Sequence, residues 1–312
     1  YLVLALYKCI IYIKLKIFLV RRSCDLSKLL SNKGKAILFM VLSAFFFTTM
    51  NVFGKLASGV TPYQKTFLTN VVATVIVCII IIKRKALFLG HKGNRKYLFL
   101  RGLMGTISIC AFYFSLDHLL LSDATMLNKL SPFFTIIFSF LYLKEKITGK
   151  QLIFLLLAFC GSLLVIKPHF NSSVIPSLMG IVAAASAGLA YTMIRVIGDK
   201  EDFFTVILSF TGIATIVCAP FMFFNTSALT LSNIIYLIIA GLCFVLGQVF
   251  LTLAYRNAPA SEISMFDYIS LIIAAVYGFI LFNEIPDIFS VIGYIVIVSA
   301  SFLNIIVKSK KA

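Results

Sequence analysis

Long apolar segments recur along the whole of this 312-residue chain, and they limit its fold more than any other feature does. A stretch of about 18 or more apolar residues is long enough to cross a bilayer as a helix. Hydrophobic residues make up 61% of the sequence, against about 45–50% in a soluble globular domain. We therefore predict an all-α polytopic membrane protein.

Ten transmembrane helices are predicted, and the connections between them are too short to hold a soluble domain. Short connections also mean that successive helices run antiparallel. The predicted spans are residues 35–57, 63–82, 97–118, 122–143, 149–167, 177–197, 203–224, 231–254, 261–282 and 288–307.

Basic residues outnumber acidic ones by 28 to 11, and they cluster in every second connection. The fourth connection, for example, carries Lys144, Lys146 and Lys150. Lys and Arg are enriched in cytoplasmic loops, so we expect both termini in the cytoplasm and the protein in a bacterial inner membrane. The same pattern explains the basic excess without nucleic acid, which is not expected as a partner.

Residues 1–33 differ from the rest of the chain. They are apolar but interrupted by Lys8, Lys14 and Lys16, and no clear cleavage site of small residues indicates a signal peptide. We interpret them as an interfacial amphipathic segment or a non-native leader. An additional spanning helix is the alternative.

The chain contains an internal repeat with an offset of 139 residues. Residues Ala124–Ile147 align without a gap on Ile263–Pro286, and Asn128 then meets Asp267. An aligned pair of long segments of this kind is typical of a duplicated structural unit.

Each of the two repeated units, residues 34–170 and 171–312, holds five predicted spans. Since five is odd, the second unit must begin on the opposite side of the membrane from the first. The expected fold is therefore two inverted five-helix repeats, an architecture typical of secondary transporters.

The run ATMLNKLSPFFTIIFSFLYLKEKITGKQLIFLLLAFCGSLLVI resembles the EamA-like domain of the drug/metabolite transporter superfamily. The resemblance lies in a small residue that opens helix four, the mid-helix Pro132, an aromatic and aliphatic run ending in Glu145, a Thr-Gly turn and Gly161. The second copy departs from it at Leu271, where the proline would stand. The resemblance covers about residues 34–308 and implies a ten-helix carrier of small metabolites, without naming a substrate.

Pro132 predicts a kink in helix four, because its ring removes the helical hydrogen bond to the carbonyl of Asn128. A carbonyl freed within a membrane must be satisfied by protein or water. We therefore expect Asn128 and Ser131 to face a cavity. The alternative is a structural kink in which Asn128 bonds to a neighbouring helix.

Asp267, followed by Tyr268, is the sharpest functional candidate, because carboxylates inside a membrane are costly and usually functional. It is expected to contact a cationic group of the substrate or to carry a coupling proton. The alternative is a salt bridge to Arg195 or Arg256 that serves structure alone.

Further candidates lie on helices one, three, six and eight. Lys55 and Arg195 occupy equivalent places in the two repeats and, at opposite mouths, could guide an anionic group; snorkelling of each base to the interface is the alternative. The predicted cavity residues are Asn51, Lys55, Tyr113, Asn128, Ser131, Tyr191, Arg195, Gln248, Thr252, Asp267 and Tyr268.

No catalytic group, cofactor or metal site is indicated, because the sequence has no phosphate-binding loop, no CxxC pair and no histidine in the interior of a span. We predict a secondary transporter that moves a small amphipathic organic solute, such as an amino acid, a derivative or a nucleoside-like molecule, by alternating access. A small-solute or ion channel, or a membrane-embedded enzyme, is the alternative. The expected partners are the substrate and the lipid bilayer, with a coupling ion or an exchanged solute as further options.

Overall fold

The computed structural model describes residues 32–119, 125, 127–145, 147–166, 174–223, 229–282 and 286–309, and these ranges contain no β-strand. Most of the leader predicted at 1–33 lies outside them. The helices are α1 (Asn32–Leu56), α2 (Pro62–Arg84), α3 (Arg95–His118), α4 (Ser131–Leu143), α5 (Gly149–Ile166), α6 (Val174–Ile197), α7 (Phe203–Phe223), α8 (Leu231–Asn257), the short α9a (Ala260–Ile263), α9b (Ile269–Phe282) and α10 (Ile288–Ser309). A 3₁₀ segment, Ser264–Tyr268, joins α9a to α9b.

Eight helical segments within the described ranges are long and apolar enough to cross a membrane. Two further apolar helices, Ser131–Leu143 and Ile288–Leu303, are shorter. The outer faces carry large exposed apolar side chains, among them Ile216 at 74% exposure and Ile82 at 63%. Apolar surface of this extent requires a partner, and lipid provides one, so the chain is an all-helical membrane protein.

Short local signals fix several helix ends. At the start of α2 the Thr61 hydroxyl accepts a bond from the Gln64 backbone N–H at 3.4 Å, and the Gln64 side chain accepts one from the Thr61 N–H at 3.2 Å. This reciprocal capping box satisfies two donors that the helix leaves unpaired. Thr148 and Gln151 repeat it before α5.

Helix packing crosses between the two halves of the sequence. Helix α1 packs along α8, and α6 packs along α3 in the same way; α2 contacts α7, and α5 contacts α10. Helix α1 also contacts α9b, while α6 contacts α4. These pairings are symmetric under a shift of five helices. The shift turns the α1–α8 pair into α6–α3 and the α1–α9b pair into α6–α4, and it leaves the α2–α7 and α5–α10 pairs unchanged.

The largest buried apolar cluster positions the polar site described below. It forms where α1, α6, α8 and the α9 segments meet, and it includes Tyr255, Phe266 and Tyr268, each 2% exposed or less. Side chains from both halves of the chain contribute to it, so the two halves share one core.

Candidate functional site

Two helical segments are interrupted at polar residues. Leu127 and Asn128 are helical, a turn follows at Lys129 and Leu130, and α4 begins at Ser131. In the other half, the 3₁₀ segment Ser264–Tyr268 separates α9a from α9b. The 139-residue offset places the two interruptions opposite each other in the repeat.

The structure differs from the continuous helix predicted over residues 122–143. Pro132 lies in the first turn of α4, where its fixed backbone angle suits a helix and its missing N–H is not needed. The proline therefore starts a new helix after a break instead of bending an unbroken one. Residues 120–124 and 126, also within the predicted span, lie outside the described ranges.

An ion pair joins the two interruptions. The Lys129 Nζ atom lies 2.7 Å from Asp267 Oδ2 and donates to the Ser270 hydroxyl at 2.9 Å. The buried Tyr268 hydroxyl donates to the Lys129 carbonyl at 2.7 Å. The partner of Asp267 is thus Lys129, whereas Arg195 pairs with Glu145.

This ion pair is not sealed from its surroundings. The Lys129 side chain is 14% exposed and the Asp267 side chain 37%. Removing two charges from water costs more than their attraction returns unless other bonds complete the geometry. A pair that is only partly buried is suited to exchanging one partner for a charged group of a solute.

Asn128 and Ser131 flank the ion pair on the α4 side. Asn128 is half-buried, and Ser131 is 6% exposed, with its carbonyl accepting a bond from the Thr135 hydroxyl at 2.8 Å. Both residues therefore border the break from which Lys129 projects.

A stacked tyrosine pair joins α6 to α8 beside the buried cluster that contains Tyr268. The rings of Tyr191 on α6 and Tyr255 on α8 lie 5.5 Å apart between centroids, with an angle of 19° between their planes. The sequence indicated Tyr191 but not Tyr255, because one more aromatic residue in an apolar helix carries no distinguishing signal.

Gln248 is buried, 4% exposed, and its side-chain oxygen accepts a hydrogen bond from Arg101 Nη2 at 3.1 Å. Thr252 follows one helical turn later on α8 and is fully buried. Sequence reasoning missed Arg101. It stands shortly after the basic residues Arg95 and Lys96, so it resembled one more charge of a cytoplasmic connection.

Arg195 lies in a network at one end of the bundle. Its Nε atom donates to Glu145 Oε1 at 2.9 Å, and its Nη1 atom donates to the Arg256 carbonyl at 3.0 Å. The second Glu145 oxygen accepts a bond from the Ala260 N–H at 3.1 Å. The pair therefore ties the end of α4 to α6, α8 and α9a.

Asn51, Lys55 and Tyr113 lie apart from the ion pair along their helices. Asn51 and Lys55 are exposed near the end of α1. Tyr113 is half-buried and packs edge-on against Tyr63, with 6.0 Å between ring centroids. Among the hydrogen bonds, ion pairs and ring contacts described between residues 32 and 309, none joins these three residues to Lys129 or Asp267.

The site offers charged and hydrogen-bonding groups rather than a metal-binding set. Throughout the part of the chain that the structure describes, no three His, Cys, Asp or Glu side chains gather as they would around a metal ion. The arrangement can recognise a polar organic molecule by one cation, one carboxylate, an amide and aromatic hydroxyls.

A family model agrees with this architecture. The model of the EamA-like transporter family matches residues 34–167 and again residues 174–306. The fold and the family match together define a polytopic membrane transporter. The chain belongs to the EamA-like transporter family.

Individual known proteins are similar over most of the chain. The pseudopaline exporter CntI of Pseudomonas aeruginosa is 30% identical over 267 residues, which cover 85% of this chain and 93% of that protein. Solute carrier family 35 member G1 of Mus musculus is 27% identical, over 85% of this chain and 76% of its own length. One solved crystal structure shares the fold, with a TM-score of 0.76 and 13% identity over 86% of this chain and 95% of the other.

Proposed function

We propose that this protein is a secondary transporter of the cytoplasmic membrane that moves a small amphipathic organic solute, such as an amino acid, a derivative or a nucleoside-like molecule. The observation that carries the proposal is the Lys129–Asp267 ion pair, which joins two aligned helix breaks. Broken helices with polar side chains at the break are typical of substrate sites in secondary transporters.

Two inverted five-helix units, 34–170 and 171–312, are part of the proposal, with ten spans and both termini in the cytoplasm. The reciprocal helix pairing supports it, because exchanging each helix for the one five places away leaves the pairings unchanged. The distribution of Lys and Arg supports the sidedness.

Alternating access is supported by the network at Arg195. The Arg195–Glu145 ion pair holds four helical elements together at the end where the basic connections lie. Breaking it would allow α4 and α9a to move away from α6 and α8, which would open that end. Lys55 occupies the place of Arg195 in the other unit and is the cation proposed for the opposite mouth.

The proposed cavity is centred on the two breaks. Asn128, Ser131 and Tyr268 flank the ion pair, while Tyr191, Gln248 and Thr252 complete the wall on α6 and α8. Asn51, Lys55 and Tyr113 on one side, and Arg195 on the other, would guide the solute. Asp267 is the candidate carrier of a coupling proton, because a carboxylate released from Lys129 can bind one.

The test is flux through purified protein in proteoliposomes loaded with a mixed metabolite pool and analysed by mass spectrometry. Asp267→Asn and Asn128→Ala are each expected to reduce flux of the transported solutes by about 10-fold or more, the range for losing a bond to a charged group. Asp199→Asn is the matched control, because Asp199 has a side chain 93% exposed and lies in a connection.

Size-exclusion profiles of all variants must show folded protein for the comparison to count. Accelerated exchange, in which solute on the far side speeds flux, is expected of a carrier and not of a channel. Wild-type flux without such acceleration would favour a channel. Unchanged flux in both variants would remove Asp267 and Asn128 from the site.

A further inference from the structure

Arg101 is a charged side chain that the fold has buried completely. It lies near the start of α3 and is 2% exposed. An arginine within a spanning helix is costly unless it is paired or functional. Its guanidinium carries five N–H donors in a fixed fork, so several bonds are needed to offset the loss of water.

Those bonds are incomplete. Nη2 donates to Gln248, and the guanidinium carbon lies 4.7 Å from the centroid of the Phe210 ring. The Nε atom is buried and has no hydrogen-bond partner among the described residues. Within the described residues no carboxylate lies at ion-pair distance from Arg101, whereas Arg84, Arg195 and Arg256 each have one.

The surroundings of Arg101 are shaped for a guanidinium. A Cβ atom at Gly105, one turn later on α3, would lie 2.8 Å from Arg101 Nη1 and 2.6 Å from the Phe210 ring. The head group therefore occupies space that any other residue at 105 would take. Such a fixed position is what recognition of a planar anion requires.

A second unpartnered polar group lies on α8. The Thr252 hydroxyl, one turn after Gln248 and one turn before Tyr255, is buried and finds no hydrogen-bond partner in the part of the chain that the structure describes. Tyr255 stacks on Tyr191 and lies in the same buried cluster as Tyr268. The Arg101–Gln248 bond and the position of Thr252 one turn before Tyr255 therefore place both donors next to the buried cluster that contains Tyr268.

We infer that Arg101, with Gln248 and Thr252, is the anion-binding part of the solute site, and that the transported solute carries a carboxylate group. The inference rests on the proposed transport function. One guanidinium without an acidic partner matches the single charge of a carboxylate, whereas a phosphate monoester would bring close to two charges. The solute would enter when the bundle opens, and its carboxylate would supply the missing acceptor for Nε.

Arg101 could instead serve structure alone, as a link from α3 to Phe210 on α7 and Gln248 on α8. These two roles differ in what they predict. A structural link affects every solute equally, whereas an anion-binding residue affects only solutes that carry the anion.

The experiment measures solute choice in proteoliposomes loaded with an equimolar pool of free L-amino acids and dipeptides together with the same compounds as carboxamides. Wild type is expected to move the carboxylates at least about 10-fold faster than the amides, since a charged hydrogen bond contributes that much. Arg101→Gln is expected to lower this ratio toward one, and Arg101→Lys to keep part of it. Thr252→Val is expected to lower it less, and Arg95→Gln, on an exposed residue of the same helix, to leave it unchanged.

Each outcome decides something. Wild-type flux of solutes with equal rates for acid and amide would overturn the inference and leave transport intact, even if Arg101→Gln failed to fold. An unchanged acid-to-amide ratio in folded Arg101→Gln would also overturn the inference. So would a wild-type preference for monophosphate esters added to the pool. Absence of any saturable wild-type flux would instead count against the proposed function itself.

Discussion

Glu201 shows how a single buried carboxylate can hold a connection in place. Its side chain is 1% exposed. It accepts bonds from the Asn94 side chain at 2.7 Å and from the His91 backbone N–H at 3.0 Å, while its own carbonyl accepts from Arg256 Nη2 at 2.8 Å. One residue thus fixes the connection between α2 and α3 to the ends of α6 and α8.

The bonds to Glu201 predict an acid-sensitive contribution to stability. Burial by itself raises the pKa of Glu201, but the bonds from Asn94 and His91 outweigh burial, and the net pKa is lowered. A carboxyl whose folded pKa lies below its unfolded value of about 4.3 stabilises the fold above that value and loses the effect as pH falls through the folded pKa. Glu201→Gln should therefore be less stable than wild type at pH 5, with a gap that narrows toward pH 3.

The measurement is the thermal unfolding midpoint in detergent between pH 5 and pH 3, with Asp199→Asn as the exposed control. The control should follow wild type across the range. A gap for Glu201→Gln that stays constant with pH would contradict the assignment of the bonds to the charged carboxylate.

At the scale of elements, the close approach of α5 and α10 depends on two glycines. A Cβ at Gly293 would lie 2.5 Å from the Gly161 carbonyl oxygen, and a Cβ at Gly161 would lie 2.9 Å from the Gly293 carbonyl oxygen. Small residues let membrane helices pack through van der Waals contact where no hydrophobic force acts between them. Helices α5 and α10 therefore approach each other until their backbones are in contact.

Gly293→Ala is expected to destabilise the protein, because the added methyl must push the α5 backbone away. The cost of such overpacking is about 1–3 kcal/mol. Gly54→Ala, in α1, is the matched control: a Cβ there meets nothing within 4 Å, and alanine has the higher helix propensity, so it should be neutral or stabilising by up to about 1 kcal/mol. Thermal unfolding in detergent compares the two, and equal effects would show that the α5–α10 contact is not the cause.

At the scale of the whole molecule, the charges of the connections define two ends of the bundle. The end formed by the second, sixth and eighth connections holds the ion pairs Arg84–Asp202 at 3.3 Å and Arg256–Asp199 at 3.6 Å. This end also carries the Arg195–Glu145 pair. By the positive-inside rule, we expect this end to face the cytoplasm.

Single cysteines placed in the connections before and after α2 test that sidedness. In a background without native cysteines, Gly93→Cys should react with a membrane-impermeant maleimide only when the cytoplasmic face is accessible, and Ser58→Cys only from the outside. Both positions are exposed, and a Cβ at Gly93 meets nothing within 4 Å. Reaction of the two cysteines from the same side would rule out α2 as a span and with it the predicted topology.

Much of the architecture follows from local order along the chain. Apolar length predicted the helical spans. Thr61 and Gln64 form a capping box within four residues, so this helix start needs no distant partner. The repeat aligns Asn128 with Asp267 in sequence. It could not show that the neighbouring Lys129, which is not among the predicted cavity residues, is the group that pairs with Asp267.

Contacts between distant residues required the packed bundle. Lys129 meets Asp267 across 138 residues, and Arg101 meets Gln248 across 147, and no spacing within either helix encodes these distances. The apolar character of a segment shows whether that segment suits lipid, and each residue contributes to it independently of distant residues. Which charge is paired, and which is buried without a partner, depends instead on how helices from the two halves are placed against one another, because electrostatic energy is a property of the pair and of the dielectric around it.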